Sequence, residues 1–209
     1  MEKMTYKIIQ RGAEALIIKQ NDVIVKRREK KSYRLPEIDD RIRKLRTRSE
    51  VKLLNKASKL ISIPKIKKVE EKTKEIFMDF QAGKKLSTYL DKFPLKKQKE
   101  ICKIIGSNIS KLHDADIIHG DLTTSNMIFE EKKKQVFFID FGLGFISHKV
   151  EDKAVDLHLL RQALEAKHFK HWKDLFSSVL KGYSSSKNAD KVLTQFKKVE
   201  QRGRYKESY

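Results

Sequence analysis

The sequence predicts an α+β protein of two lobes, a strand-rich first lobe and a reduced, helical second one. Three observations carry this. Short Ile- and Val-rich runs crowd the first eighty or so positions, four apolar faces with helical spacing fill the second half, and Ala82-Gly83 lies between the two regions as a hinge. The division expected from this is 1–82 for the first lobe, 83–200 for the second and 201–209 for a basic, mobile tail.

Tyr6–Gln10, Glu14–Lys19 and Asp22–Arg27 read as strands, broken by Arg11-Gly12-Ala13 and Gln20-Asn21. A two-residue break such as the second suits a tight hairpin. A helix is expected from about Asp39, on Ile42, Leu45, Val51, Leu53, Leu54 and Ala57, with Pro64 ending that region. Lys65–Glu70 and Lys74–Phe80 form a second hairpin. Ile101, Ile104, Ile105, Ile109 and Leu112 share one helical face, and Met127–Glu130 with Gln135–Ile139 make a short strand pair. Three more helices follow, on Val155 to Leu164, Phe169 to Leu180 and Val192 to Val199.

Charge narrows the class. The 209 residues carry 48 basic and 28 acidic side chains, a net +20. Most of the excess is lysine in short surface runs, the pattern of a solvated face, as in heat-adapted proteins. The arginines are clustered: eight of 11 lie between Arg11 and Arg48. Arg binds phosphate oxygens with a planar fork, so a nucleotide or nucleic-acid partner is expected. The single cysteine, Cys102, excludes an internal disulfide and a cysteine-based zinc site. No apolar run approaches the ~18 residues of a membrane span, and the first residues lack the apolar core of a signal peptide. A cytoplasmic protein that does not enter the membrane is expected.

The chemistry concentrates in His119-Gly120-Asp121-Leu122-Thr123-Thr124-Ser125-Asn126, with Asp140-Phe141-Gly142 beginning 14 positions after Asn126 at the end of an apolar strand. An Asp and an Asn on one loop, with a second Asp on a nearby hairpin, suit phosphoryl transfer. One carboxylate can orient an attacking hydroxyl or water, while the Asn oxygen and the other carboxylate hold Mg²⁺, a hard cation that takes oxygen ligands. Each piece alone is common, and the ordered set at this spacing is specific.

The set resembles the protein kinases, and the resemblance spans nearly the whole chain. It implies that Lys26, in Val23-Ile24-Val25-Lys26, grips the α- and β-phosphates of ATP, with Glu50 as its helical partner. Asp121 is then the catalytic aspartate, and Asn126 and Asp140 bind Mg²⁺. Gly12, Ala13 and Glu14 lie in the loop over the phosphates. Met78 is the gatekeeper before the hinge, where the backbones of Asp79 and Gln81 bind adenine. His119 becomes a buried scaffold residue, and Asp156 braces the catalytic loop.

The chain also departs from ordinary kinases. The phosphate loop has one glycine, Gly120 replaces the usual Arg before the catalytic Asp, and Thr123 stands where a catalytic-loop Lys is usual. No Ala-Pro-Glu follows, and only 16 positions separate Asp140 from Asp156. These features, with Lys31-Ser32-Tyr33-Arg34-Leu35-Pro36-Glu37-Ile38-Asp39, Arg46-Thr47-Arg48-Ser49-Glu50, Glu151–Leu157 and Arg202-Gly203-Arg204, are similar to the small atypical kinase of the KEOPS (EKC) complex, the piD261/PRPK-type family.

That resemblance implies an ATP- and Mg²⁺-dependent Ser/Thr kinase or ATPase supporting formation of threonylcarbamoyladenosine at tRNA position 37. Its implied partners are a Kae1/TsaD-type threonylcarbamoyltransferase, to which such kinases are fused in many archaea, a Cgi-type small regulatory subunit, and tRNA through the complex. Of Arg27, Arg28, Arg34, Arg41, Arg43, Arg46 and Arg48, some are expected to face inward to the triphosphate or to be tied up by Glu37, Asp39 and Asp40, and the rest to form a basic face beside the first helix, with Arg202 and Arg204 as a second RNA contact. Two other readings stand beside this one. A RIO-type kinase of ribosome maturation is opposed by the intact Asp-Phe-Gly and the Tyr-Arg-Leu-Pro segment. A catalytically silent tRNA scaffold is opposed by the complete set of catalytic side chains.

Overall fold

The computed structural model describes residues 6–12 and 14–204. Strands β1 (Tyr6–Arg11), β2 (Leu16–Gln20), β3 (Val23–Arg27), β4 (Ile66–Glu70) and β5 (Glu75–Asp79) form one antiparallel sheet in the order β1-β2-β3-β5-β4. The hairpin between β2 and β3 turns through Asn21, at φ 49, the left-handed conformation that Asn tolerates. β3 therefore runs through the centre of the sheet, with Lys26 opposite Ile17 on one side and Ile76 on the other.

Helix α1 (Pro36–Ala57) interrupts the strands. It starts three residues before the expected Asp39 because Pro36 occupies its first turn, where a missing N–H costs nothing. Its inner face is not the apolar stripe the spacing predicts. Ile42 is only half-buried and Leu45 is exposed, while Asp39, Arg43, Thr47 and Glu50 point inward. Only the last turns, through Leu53, Leu54 and Ala57, enter the hydrophobic core. The helix is thus anchored by its C-terminal end, and its polar half is free to line a cleft.

After the hinge come β6 (Lys84–Lys85), α2 (Leu86–Tyr89), α3 (Leu95–Asp114), β7 (Ile117–Ile118), β8 (Met127–Glu130), β9 (Gln135–Phe138), β10 (Phe145–Ile146), α4 (Val150–Lys167), α5 (Trp172–Tyr183) and α6 (Ala189–Arg204). Strands β6, β8 and β9 form a three-stranded sheet, and β7 pairs with β10. The two-residue strands and α2 carry no readable periodicity, which is why the sequence does not announce them. α5 begins at Trp172 and leaves Phe169 78% exposed, so Phe169 does not join the apolar face expected of it. α6 runs on to Arg204, so the first four residues of the expected mobile tail are helical, and 205–209 lie outside the described residues.

The main core joins both lobes. Leu53, Leu54, Ile61 and Ile63 pack in one cluster with Ile105, Ile109, Leu112, Met127, Phe138 and Phe141. Among the described residues no helix is long and apolar enough to cross a membrane.

Helices α3 and α5 touch backbone to backbone. A Cβ on Gly106 would lie 1.9 Å from the Val179 carbonyl oxygen, and one on Gly182 would lie 2.0 Å from that of Lys103. Intrinsic propensity favours Ala over Gly in a helix by about 1 kcal/mol. The overlap reverses that preference: Gly106→Ala and Gly182→Ala should each destabilise the fold by about 1–3 kcal/mol or more. Denaturant unfolding measures this; equal or higher stability would mean the two helices are not in backbone contact.

Candidate active site

Alternation along β3 turns Lys26 inward and Arg27 outward. Lys26 is 5% exposed, and its Nζ donates to Glu50 Oε1 at 2.7 Å and to Asp140 Oδ1 at 2.6 Å. Glu50 is 2% exposed and would be costly there as a lone charge. It is held from both sides, since Arg28 Nη2 donates to its other oxygen at 2.7 Å. One carboxylate on α1 thus joins two cations of the sheet, and one of those cations reaches across to the second lobe.

Asp140 follows β9, with φ 64, a left-handed conformation. Its Oδ1 also accepts the Gly142 N–H at 3.1 Å. Burial pushes the Asp140 carboxyl up, but the charge and hydrogen bond of Lys26, with the Gly142 N–H, outweigh it and hold the group below the ordinary carboxylate range. Asp140 is therefore ionised at neutral pH.

The loop that carries Asp121 and Asn126 runs from β7 to β8. Asn126 donates Nδ2 to the Asp121 backbone oxygen at 3.0 Å and to its carboxylate Oδ2 at 2.7 Å. That leaves the Asn126 Oδ1 as the unengaged end of the amide. Two braces support the loop from behind. Asp156 accepts the backbone N–H groups of His119 and Gly120, both at 2.9 Å, and also faces His113 Nε2 at 3.2 Å. At the other end, Thr124 Oγ1 lies 3.0 Å from Nε2 of the buried His168, whose Nδ1 is 2.8 Å from Asp91.

Gly120, which the sequence presents as a lost Arg, has a backbone reason. It sits at φ +77, and a Cβ there would lie 2.5 Å from the Leu143 carbonyl oxygen. An arginine at 120 would collide with the segment after Asp140.

Two cavities adjoin at Lys26 and Asp140. The first, about 210 Å³, is walled by Ile17, Ile24, Met78, Ile128 and Ile139 and bordered by Asp79, Gln81 and Asn126. Here the Asp79 N–H donates to the Lys65 carbonyl, while the Gln81 N–H has no acceptor among the described residues. The second, about 200 Å³, is the more polar of the two, and is lined by Gly12, Glu14, Arg28, Arg46, Asp121 and Gly142. Every predicted site residue except Ala13 lines one of these cavities, and Ala13 lies outside the described residues.

The sequence reading missed His168, and it placed Arg28 and Arg46 only within a cluster of which some members face inward. Arg28 could have been singled out, because it stands two positions after Lys26, one residue past β3, on the side that strand alternation turns inward. The arginine cluster also behaves differently from expectation. Arg27 pairs with Glu75, Arg34 and Arg43 with Asp39, Arg46 with Glu14, and Arg48 with Glu71. Arg43 is buried. Of the seven arginines from Arg27 to Arg48, only Arg41 has no carboxylate partner among the described residues. The cluster stitches the first lobe together, and the Arg face expected beside α1 is largely consumed.

A two-lobed fold with Lys–Glu–Asp and Asp–Asn sets around one cleft defines a protein kinase domain, and the family model of that description matches residues 19–157. The chain is 41% identical to the KEOPS complex subunit Bud32 of Pyrococcus abyssi, over 96% of this chain and 97% of that protein. It is 38% identical to the EKC/KEOPS complex subunit bud32 of Dictyostelium discoideum, over 95% of this chain and 83% of that one. A probable bifunctional tRNA threonylcarbamoyladenosine biosynthesis protein of Methanobrevibacter smithii is 40% identical over 97% of this chain, which spans only 37% of that longer protein. The chain belongs to the protein kinase family and, within it, to the Bud32 kinases.

His119 provides a pH test of the braced loop. The ring is 1% exposed; Nδ1 accepts the Asp121 N–H at 3.3 Å, and Nε2–H donates to the Ile139 carbonyl at 3.2 Å, which fixes the neutral form. Burial pushes its pKa down, against the pull of the Asp156, Asp140 and Asp121 carboxylates. A group with a depressed folded pKa contributes stability above its unfolded value and loses it as pH falls. The parent should therefore lose stability relative to His119→Asn below about pH 6.5, by up to about 1.4 kcal/mol per pH unit. Unfolding at pH 5 to 8 checks this; a pH-independent difference would mean His119 is not held neutral.

Proposed function

We propose that this chain is the ATP- and Mg²⁺-dependent kinase/ATPase subunit of a KEOPS complex, supporting threonylcarbamoyladenosine formation on tRNA. The observation that carries the catalytic part is the Lys26–Glu50 pair facing Asp140 across two adjoining cavities, with Asp121 and Asn126 on the floor. The assembly and the tRNA product come from what the Pyrococcus and Methanobrevibacter relatives are named for.

In this reading the apolar cavity takes the adenine, with the Gln81 N–H and Asp79 carbonyl as its backbone partners and Met78 at the back wall. Lys26 neutralises the inner phosphates, and Glu50 keeps the ammonium in place. The loop of Gly12, Ala13 and Glu14 covers the phosphates. Asp121 accepts a hydrogen bond from the acceptor hydroxyl or water and aims it at the terminal phosphorus, and Asn126 holds the Asp121 carboxylate in place.

The donor set fits Mg²⁺. That ion binds through one or two protein oxygens plus phosphates, rather than in an all-protein cage. Asp140 and the free Asn126 Oδ1 supply such a pair, and among the described residues no three His, Cys, Asp or Glu side chains converge as a metal cage. Bound Mg²⁺ supplies charge neutralisation between the phosphates.

The wider assignment names a Kae1/TsaD-type transferase, a Cgi-type subunit and tRNA as partners in the cytoplasm. In this reading the main acceptor in the complex is water, and Ser or Thr hydroxyls of proteins are a second acceptor. Asp121→Asn should lower ATP turnover by about 10²–10⁴-fold with nucleotide affinity largely kept, measured as tRNA-stimulated hydrolysis with the transferase partner. Parent-level turnover by that variant would remove Asp121 from the chemistry, and absence of tRNA stimulation in the parent would remove the KEOPS role.

Activation by phosphorylation is not part of this proposal. Ser147 is the only hydroxyl residue between Gly142 and Asp156. Its hydroxyl already donates to Asp152 at 2.5 Å, and its N–H to the Asp116 carbonyl at 2.9 Å. Lys153, 4% exposed, pins the same place through Asp116 Oδ1 at 2.7 Å. The segment is held without a phosphate, so Ser147→Ala should keep partner-dependent turnover within about twofold of the parent; a loss of tenfold or more would restore phosphorylation as the control.

A further inference from the structure

We infer that Arg28 is a second nucleotide-binding cation, whose guanidinium contacts the terminal phosphate of bound ATP. The inference rests on the nucleotide reading above and adds a residue to it.

Arg28 lies one residue past β3, two positions after Lys26 and on the same inward side, and is 4% exposed. A buried guanidinium is expected to use its donors, since an unmade bond in a buried site is costly. Arg28 uses one nitrogen, Nη2, on Glu50 Oε2, and its Nε has no partner among the described residues. The side chain lines the polar cavity.

The neighbouring cations are already engaged. Arg46 is held by Glu14, and Lys26 is shared between Glu50 and Asp140. Arg46 bonds Glu14 through one nitrogen and meets water with the rest, so Arg28 is the buried guanidinium of this cavity with donors to spare.

Its position selects the terminal phosphate. The polar cavity is the one that contains Asp121, and it meets the apolar cavity at Lys26 and Asp140. A nucleotide whose base fills the apolar cavity passes Lys26 first and ends in the polar one. The floor there is Gly142, where a Cβ would lie 3.4 Å from both Arg28 Nη2 and Lys26 Nζ. A bare backbone at that point leaves the two cations side by side above it. Glu50 sets the plane of the guanidinium fork, which suits two phosphate oxygens better than an ammonium does.

The test separates contact from support. Binding of Mg·ATP and Mg·ADP is measured on the intact chain for the parent, Arg28→Gln, Arg28→Lys and Glu50→Gln. Arg28→Gln should weaken Mg·ATP by about tenfold to a hundredfold, the range of a lost charged hydrogen bond, and Mg·ADP by no more than about threefold. Arg28→Lys, which keeps the charge beside Glu50, should also lose ATP over ADP and carries the test if Arg28→Gln does not fold. Glu50→Gln should weaken both nucleotides by the same factor, the signature of a residue acting through Lys26. Equal losses of ATP and ADP in the Arg28 variants, or no loss in either, would overturn the assignment and leave the nucleotide reading intact. A parent chain that binds neither nucleotide would overturn that reading and this inference together.

Discussion

Glu50 is buried between Lys26 and Arg28, and the position of nearly every other functional group depends on that three-way contact. A carboxylate removed from water is tolerated only if its charge is answered and its oxygens are bonded. Here each oxygen has its own cation. The contact fixes the register of α1 against the central strand of the sheet, although the polar half of α1 has almost no apolar surface facing inward. Lys26 then extends the chain of charges to Asp140 in the second lobe. Closure of the cleft and assembly of the phosphate site are in this way one electrostatic event.

The second lobe supports its loop by a different means. Backbone N–H groups of His119 and Gly120 end on Asp156, deep in α4, and Thr124 ends on His168 just past the same helix. Asp121 lies between those two anchors, and Asn126 two positions beyond the second. The loop is therefore suspended at two points, from one helix and the residue that follows it. Gly120 lets the segment after Asp140 press directly onto it. An Arg in the place of Gly120 would serve to bind an activating phosphate; this chain instead has close backbone contact and the Lys153–Asp116 pair.

The charge of +20 divides by residue type. Most arginines of the first lobe are spent on carboxylates within the fold, whereas Lys52 and Lys56 on α1, and Lys59 just after it, have no carboxylate within ion-pair distance among the described residues. Arg suits buried and bidentate pairs because its charge is delocalised and its donors are fixed in a plane. Lys, strongly hydrated on a flexible stem, stays at the surface. Arginine density in the sequence thus reports internal wiring more than an external face.

The sequence by itself determined the order of the main elements and singled out Lys26, Glu50, Asp121, Asn126 and Asp140, which the structure brings around one cleft. The last three stand out by spacing and by residue types that suit phosphoryl transfer, whereas Lys26 and Glu50 are marked only by the resemblance to the kinases. It also made the helix faces of α3 and the β8–β9 hairpin legible, because each buries one continuous apolar side. Only the tertiary structure decided that α1 turns charge inward, that Gly120 answers a backbone collision, and that His168 supports Thr124. It also decided that Arg28 shares the carboxylate of Lys26. Each of these joins residues distant in the chain, except that Arg28 was within reach of strand alternation. Periodicity describes which side of an element is apolar; it does not say what stands opposite, and for buried charges the group opposite determines whether the arrangement is stable at all.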